Sequence, residues 1–226
     1  MPLASRDLLW PPMKLPTLFL STLVLLLTLC PSAHGETTPS AKIVELFNGR
    51  DFSGWTIVND LTRGDGIGTW AVREGVIVCL GKPRGFLKTN QSFKNYRLRL
   101  QWRWPEKPSN SGVFLHGEGD DKIWPRAYEA QLAAGNAGEL RANGGALFQA
   151  ASSPEEKFRP KLAGSSERPA GEWNDYEIIC RGETITLLVN GVRQNELEKA
   201  AQSSGWIALQ SEGGPIEFRA ITLESL

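Results

Sequence analysis

The chain of 226 residues carries 25 basic and 25 acidic side chains, so its formal net charge is zero. This balance offers no electrostatic footprint for nucleic acid or for an anionic membrane surface. Two histidines cannot supply a three-histidine zinc site, and the sequence has no Cys-x-x-Cys pair, no phosphate-binding glycine loop ending in lysine and no Gly-x-Ser-x-Gly elbow.

The beginning of the chain has the pattern of a secretory signal peptide. Lys14 precedes an apolar, leucine-rich run over residues 15–30, and Ala33 and Gly35 fit the small-residue pattern of a cleavage site. The apolar run is short for a membrane span. We therefore predict a signal peptide over residues 1–35 and a secreted or periplasmic protein without stable membrane association.

This segment also leaves alternatives open. Met13 is an alternative start, because the residues before it are unusual for a signal peptide, and Cys30 leaves open a lipid anchor, beside an uncleaved membrane anchor. Cleavage would remove two basic residues and one acidic residue, which leaves 191 residues with a net charge of −1. That length suits one domain with a sizeable core. We predict a flexible leader over residues 36–43 and a single domain over residues 44–226.

The first half of this domain alternates short apolar runs with turns. Residues 69–72 and 76–80 flank a turn and predict a hairpin, and residues 85–89 predict a further strand. Residues 96–104 have the clearest period-two pattern, with apolar side chains on one face and polar ones on the other: Tyr96, Leu98, Leu100, Trp102 and Trp104 against Arg97, Arg99, Gln101 and Arg103. One face of this strand is predicted to lie in a core.

The second half continues the same pattern. Strands are predicted over residues 112–116, 127–131, 145–148, 175–181, 184–189, 192–193, 205–210 and 216–223, with Asn190-Gly191 as a two-residue hairpin turn. Only residues 195–202 resemble a helix. About ten short strands without alternating helices predict an all-β fold, an antiparallel β-sandwich.

The two middle strands hold the candidate site. Side chains alternate along a strand, so Glu129 and Gln131 share one face of the sheet. If residues 112–116 pair with residues 127–131, His116 lies near Glu129, and it is the only histidine that remains after signal cleavage. An imidazole and a carboxylate at one sheet surface are what proton-transfer chemistry requires.

Two cysteines remain in the predicted domain. Cys79 and Cys180 both fall in predicted strands. In an oxidising compartment they are candidates for a disulfide, whereas two buried free thiols are the alternative.

Several short motifs follow one another along most of the domain. They are Leu46-Phe47-Asn48-Gly49 with Gly54-Trp55, Asn110-Ser111-Gly112-Val113, Tyr128-Glu129-Ala130-Gln131, Gly171-Glu172-Trp173-Asn174-Asp175-Tyr176, Val189-Asn190-Gly191, Ile207-Ala208-Leu209-Gln210 and Phe218-Arg219. This ordered set resembles the 3-keto-disaccharide hydrolase family over residues 44–224. The resemblance implies a concanavalin A-like jelly roll, a secreted bacterial protein and activity on glycosides oxidised to a ketone at C3 of the sugar.

The implied chemistry assigns roles to particular residues. A C3 ketone acidifies the proton on C2, so the aglycone on C1 can leave by β-elimination once a base removes that proton, and water can then add. We assign the base to Glu129, the acid to His116 or Glu212, and enolate stabilisation to Arg103 or a divalent metal ion. Predicted substrate-binding residues are Arg103, Gln131, Trp124, Gln210 and Lys88, with Trp124 as the sugar-stacking platform.

The sequence departs from the family pattern at three places. His116 stands where an arginine is expected, Gln131-Leu132-Ala133 lacks an aspartate, and Glu212 replaces a common histidine. The chain also lacks the Glu-x-Asp-x-Glu strand of sandwich-fold glucanases, so ordinary hydrolysis by paired carboxylates is not predicted.

Plainer interpretations of the same residues stay open. Glu129 is also a candidate for pairing with an arginine, His116 for a structural role, and the arginines of residues 97–103 for an ion-paired surface. Asp120-Asp121 is weak evidence for calcium. Two other functions remain: a non-catalytic carbohydrate-binding module and a secreted or cell-surface interaction domain.

Overall fold

The computed structural model describes residues 42–60, 68–149 and 156–226, and these residues form fifteen β-strands. Their bounds are β1 Ile43–Glu45, β2 Trp55–Asn59, β3 Trp70–Arg73, β4 Val76–Cys79, β5 Gly85–Phe93, β6 Tyr96–Arg103, β7 Gly112–Glu118, β8 Arg126–Gln131, β9 Leu140–Asn143, β10 Phe158–Arg159, β11 Asn174–Arg181, β12 Thr184–Val189, β13 Val192–Leu197, β14 Gly205–Ser211 and β15 Ile216–Ser225. The predicted signal peptide lies outside the described residues. Within them, no helix has the length and apolar character needed to cross a membrane.

The strands form two antiparallel sheets. Sheet A has the order β13-β12-β11-β6-β15-β4-β3, with β1 paired to β15, and sheet B has the order β10-β9-β8-β7-β14-β5-β2. Neighbouring strands within a sheet are often distant in sequence, because the chain crosses repeatedly from one sheet of the sandwich to the other. The predicted all-β class and antiparallel sandwich are confirmed.

The main core fills the space between the two sheets. In β6 the side chains of Tyr96, Leu98, Leu100 and Trp102 are buried, and the intervening polar side chains point outward, as the alternation predicts. Burying each large apolar side chain contributes about 1.5–3 kcal/mol. The fold therefore has one dominant apolar layer, and each sheet keeps an outer face of its own.

A second, smaller apolar cluster lies on the outer face of sheet B. It consists of Val58, Phe86, Phe114, Ala127, Trp206 and Ala208. The rings of Phe86 and Trp206 stack with centroids 5.3 Å apart. Gly117 lies under the Trp206 ring, and a Cβ there would come within 2.4 Å of it, so this residue must be a glycine. The cluster occupies one half of this face and leaves the other half to polar side chains.

Two predicted elements differ from the structure. Residues 195–202, which resemble a helix, begin inside β13, which pairs with β12. The Asn195 side chain is buried there, and its amide donates to the backbone carbonyl of Gly138. The strand predicted over residues 145–148 is wrong, because the chain forms β9 just before it and then turns. In both places tertiary contacts override the local pattern.

The two cysteines are buried free thiols, and the disulfide alternative is wrong. Cys79 ends β4 and Cys180 lies in β11, with β6 and β15 between these strands in sheet A. Three strand spacings amount to about 14 Å, well beyond the reach of a disulfide.

Candidate functional site

A polar pocket occupies the half of the outer face of sheet B that the small apolar cluster leaves free. Its volume is about 480 Å³, and it is lined by Asn110, Trp124, Glu129, Gln131, Ala133, Arg141, Asn143 and Glu212. Strands β8 and β9 supply its base, and the segments before β7 and after β14 supply one wall. Four of the predicted site residues, Trp124, Glu129, Gln131 and Glu212, meet in this one pocket.

Glu129 lies at the centre of β8, where the strand alternation turns its side chain away from the main core. It is only 3% exposed. The Asn143 side-chain amide donates to its Oε2 at 2.6 Å. A Cβ at Gly112 would come within 2.8 Å of the Glu129 carboxyl, so a glycine in the neighbouring strand makes room for this side chain. The carboxyl is therefore held in a fixed position at the base of the pocket.

The surroundings of Glu129 shift its acidity strongly. The pKa of this carboxyl is raised from 4.5 to about 7, chiefly by burial and also by the negative charge of Glu212, while the Asn143 hydrogen bond, the positive charge of Arg141 and the Gln210 amide oppose the rise. Burial dominates because a carboxylate loses its hydration in the pocket. A carboxyl with this pKa changes its protonation near neutral pH, which is what a general base requires.

Gln210 lies beside Glu129 on the adjoining part of the same face. Its side chain is 2% exposed, and within the described part of the chain neither its amide nitrogen nor its amide oxygen makes a hydrogen bond of good geometry, although the amide lies close enough to Glu129 to lower the pKa of that carboxyl slightly. Buried polar atoms are nearly always paired in folded proteins. A buried amide without a well-formed hydrogen bond therefore favours a site that receives a polar ligand, in agreement with the predicted substrate-binding role of Gln210.

One wall of the pocket is built around Glu212. Its Oε2 accepts a hydrogen bond from the Asn110 amide at 3.0 Å, and its Oε1 lies 3.3 Å from Nε of Arg84. The Arg84 guanidinium also lies 5.7 Å from the ring centre of Trp124. Trp124 is 45% exposed at the rim, so Arg84 connects the exposed aromatic ring to the acidic wall.

Arg141 and Gln131 complete the polar lining. Arg141 lies 3.5 Å from the carboxylate of Glu139 and supplies the positive charge beside Glu129. The side-chain oxygen of Gln131 accepts from the backbone nitrogens of Leu132 and Ala133, each at 2.9 Å, which fixes the orientation of its amide.

Sequence reasoning missed four residues of this site: Asn110, Arg141, Asn143 and Arg84. Asn110 belongs to the motif Asn110-Ser111-Gly112-Val113, which could have indicated its place in the site. Arg141 and Asn143 lie in β9, which was not predicted. Arg84 follows a turn, and only the folded chain brings it to Glu212.

His116 does not share the pocket with Glu129, so the predicted pairing is wrong. Its ring lies in the main core against the rings of Tyr96 and Tyr128, and its Nδ1 donates to the backbone carbonyl of Gln202 at 3.0 Å. Burial lowers the pKa of this imidazole to about 4. The cause of the difference is backbone geometry: His116 has φ of 52°, and the register shifts between Leu115 and Glu118, which turns the side chain inward.

Two more predicted residues lie outside the pocket. Arg103 is on the outer face of sheet A, where its Nε donates to Glu217 at 2.6 Å, so the expectation that it stabilises charge beside Glu129 is wrong. Lys88 lies in sheet B, but its ammonium is bound by Asp121 and lies 5.7 Å from the ring centre of Trp206. Arg141 holds the position beside Glu129 that was assigned to Arg103.

The acidic pair in the loop after β7 does not converge on one point. Asp121 binds Lys88, and Asp120 lies 3.9 Å from Nζ of Lys122. Across the described ranges, no three histidine, cysteine or acidic side chains come together as a ready set of metal ligands.

Solved structures with the same fold include carbohydrate-active proteins. A candidate glycosyl hydrolase from Parabacteroides distasonis ATCC 8503 is 21% identical with a TM-score of 0.62, over 81% of this chain and 94% of that one. The carbohydrate-binding module CBM66 from Bacillus subtilis is 13% identical, over 76% and 96%, and a Bacillus licheniformis β-glucanase is 12% identical, over 84% and 99%, each with a TM-score of 0.57. A search of curated proteins finds no match. These similarities establish the jelly-roll fold.

The sequence itself carries a more specific similarity. The family model of the 3-keto-alpha-glucoside-1,2-lyase-like domain matches residues 42–224, nearly the whole predicted domain. The ordered motifs and the jelly roll agree with that match, and the chain belongs to this family, the 3-keto-disaccharide hydrolases.

Proposed function

We propose that this protein is a carbohydrate-active enzyme that cleaves glycosides oxidised to a ketone at C3 of the sugar. The observation that carries the proposal is Glu129, a buried carboxyl with a pKa of about 7 at the base of a polar pocket. The family description, which names a 3-keto-alpha-glucoside-1,2-lyase, supports the choice of substrate. A base with this pKa is matched to the proton on C2, which the adjacent ketone acidifies.

The reaction begins when the Glu129 carboxylate removes the proton from C2. The electron pair released from the C2–H bond forms the enolate of the C3 ketone and then a C1=C2 double bond, while the C1–O bond to the aglycone breaks. The aglycone oxygen takes up a proton and leaves as an alcohol. Water added across the double bond then gives the free 3-keto sugar, so the net result is hydrolysis.

The other residues of the pocket have roles that follow from their charge and position. Arg141 supplies the positive charge that stabilises the enolate oxygen. Glu212 is the remaining candidate for proton transfer to the aglycone, since His116 lies in the core. The Gln210 amide, which makes no hydrogen bond of good geometry in the described part of the chain, binds sugar hydroxyls, and Trp124 provides an apolar surface for a sugar ring.

We also propose that the protein acts outside the cytoplasm. The support is the signal-like pattern of residues 1–35 described above. Cell fractionation of the expressed full chain, with determination of the mature amino terminus, tests this. A cytoplasmic protein that retains residues 1–35 would contradict it.

The decisive experiment measures aglycone release from a 3-keto-glucoside by wild-type protein and by Glu129→Gln. We expect the variant to be about 10²–10⁴-fold slower, because the general base is lost. Glu177→Gln, on the outer face of sheet A, is the matched control and retains wild-type turnover. Full activity of Glu129→Gln would remove this residue from the mechanism.

Two further arms of the experiment define the chemistry. In D₂O, the 3-keto sugar product gains deuterium at C2, because water adds to the C1=C2 bond after the original proton is lost. The unoxidised glucoside stays intact, since its C2 proton is not acidic. Assays with and without a chelator measure any requirement for a divalent cation in enolate stabilisation. Product without deuterium at C2 would contradict the elimination step.

A carbohydrate-binding module on the same fold is the second candidate. The exposed ring of Trp124 at the rim of the pocket favours it, since such rings stack on sugars whether or not a reaction follows. A module binds 3-keto and unoxidised glucosides equally well and turns over neither. The same assays therefore separate the two functions.

A further inference from the structure

A second depression lies on the outer face of sheet A, on the other side of the sandwich from Glu129. Its volume is about 500 Å³, similar to that of the candidate active site. Its lining combines arginines, glutamates, a tryptophan and two valines: Arg73, Glu74, Val76, Val78, Arg103, Trp173, Glu217 and Arg219. None of these residues lines the Glu129 pocket, so the two depressions are separate.

Strand register assembles this depression from four strands of sheet A. Arg103 of β6 is opposite Glu217 of β15, and Glu217 is in turn opposite Val78 of β4. Val76 of β4 is opposite Arg73 of β3. Because opposite residues share a sheet face, the two valines form an apolar floor between charged side chains on both sides.

Two of the guanidinium groups are held in place before any ligand arrives. The Arg103 and Arg219 guanidinium carbons lie 4.5 and 4.0 Å from the ring centre of Trp173. Arg103 Nε also donates to Glu217 at 2.6 Å, and Arg219 Nε donates to the side-chain oxygen of Gln101 at 2.8 Å. Preorganised side chains lose less conformational entropy when a ligand binds.

The depression also keeps positive charge that the protein does not neutralise. It contains three arginines and two glutamates, and Arg103 pairs with Glu217. The Arg73 side chain makes no hydrogen bond or ion pair with any of the described residues. Several other arginines on this face are paired, as Arg97 is with Glu224 at 2.9 Å and Arg99 with Glu177 at 2.6 Å.

We propose that this depression binds a sugar that carries a carboxylate, a uronate residue, at a site distinct from the Glu129 pocket. The carboxylate lies between Arg73 and the free nitrogens of Arg219, because a planar guanidinium matches a carboxylate with two parallel hydrogen bonds. The apolar face of the sugar ring lies on Val76 and Val78. Glu74 and Glu217 accept hydrogen bonds from hydroxyls and repel a dianion such as phosphate.

The test is an NMR titration of the full domain with methyl α-galacturonide, its neutral methyl ester and inorganic phosphate. We expect saturable shifts of the Trp173 indole N–H signal with the uronide, identified by its loss in Trp173→Phe, and much weaker shifts with the ester or phosphate. Arg73→Gln weakens uronide binding by about fivefold or more, the effect of one lost charge contact. Arg181→Gln, an exposed arginine at the end of β11, is the control of equal charge and leaves binding unchanged.

Several outcomes would overturn this proposal. Equal binding of the ester would show that the carboxylate is not recognised, and equal binding of phosphate would show a simple anion contact. Equal weakening by Arg181→Gln would show a nonspecific charge effect. We expect Glu129→Gln to retain full uronide binding. A failure of the uronate site can therefore be distinguished from a failure of the proposed catalytic function.

Discussion

The polar side chains on the two outer faces of the sandwich differ in how deeply they are buried. On sheet A, charges face one another across neighbouring strands and stay near water: Arg99 Nε donates to Glu177 at 2.6 Å, and Gln101 donates to Asp175 at 2.8 Å. On sheet B, Glu129 and Gln210 are almost fully buried, and within the described residues the Gln210 amide makes no hydrogen bond of good geometry. The difference shows that the burial of its polar side chains distinguishes the candidate active site from the outer face of sheet A, whereas the number of charges does not.

The largest effect that we expect from this difference is on the pH dependence of the free energy of unfolding. Above the ordinary pKa of 4.5 the unfolded chain releases the Glu129 proton, while the folded protein holds it up to about pH 7. The contribution of Glu129 to stability therefore falls by about 3 kcal/mol as pH rises from 4.5 to 7. His116, whose pKa burial lowers to about 4, contributes in the opposite direction over much of this range, so the comparison of a Glu129 variant with wild type isolates the effect of the carboxyl. Glu129→Gln, which resembles the protonated acid, should be more stable than wild type by about that amount at pH 8 and by little at pH 4.5.

Urea unfolding at the two pH values measures this effect. Glu177→Gln on sheet A is the control and should change stability little at either pH, because Glu177 is partly exposed and loses only surface pairs with Arg99 and Arg97. If Glu129→Gln and wild type differed by the same free energy of unfolding at both pH values, burial would not disfavour the charged form of Glu129.

A second prediction concerns the hydrogen bond that partly offsets the burial of Glu129. Asn143→Ala removes the 2.6 Å donor to the carboxylate, so the pKa of Glu129 should rise above about 7. The pH at half-maximal turnover of a 3-keto-glucoside should move up by about one unit, which lowers the rate at pH 7 by about fivefold. Asn136→Ala, an exposed change outside the pocket, should leave the pH profile in place. A uniform loss of rate at every pH would contradict this role of Asn143.

The smallest effect is expected on the paired face of sheet A. Arg99→Gln breaks ion pairs with Glu177 and Glu224, but the Arg99 side chain is 47% exposed. Its loss should cost less than about 1 kcal/mol, decrease further with added salt and leave turnover unchanged. A large loss of stability or of turnover, measured by urea unfolding and by aglycone release, would remove the distinction between the two faces.

The regular parts of the fold were predictable because they depend on local pattern. The alternation in residues 96–104 gives the buried and outward faces of β6 correctly, and the Asn190-Gly191 turn adopts positive φ at both residues, 49° and 78°. Four residues of the pocket were also predicted, since the Tyr-Glu-Ala-Gln motif places Glu129 and Gln131 on one side of β8. The two other predicted residues, Trp124 and Glu212, are not explained by alternation alone.

The remaining parts depend on contacts that a local pattern does not contain. Alternation indicates which side chains face away from the core, but not which sheet they belong to, so Arg103 and Glu129 were assigned to one surface although they lie on opposite ones. His116 follows the parity of the outer face until the register shift beside Gly117 turns it inward. Asparagine is usually found on protein surfaces, so the burial of Asn195 is not predicted from its residue type. Its side-chain amide nitrogen donates to backbone carbonyls that folding brings beside it.

The two unpaired thiols make the sandwich independent of the redox state of its surroundings. Burial raises the pKa of Cys79 to about 11 and that of Cys180 to about 12, so almost no reactive thiolate exists at neutral pH. Alkylating reagents consequently modify them only in molecules whose sheets have separated. The rate of labelling thus reports how often the native jelly roll opens, without any introduced probe.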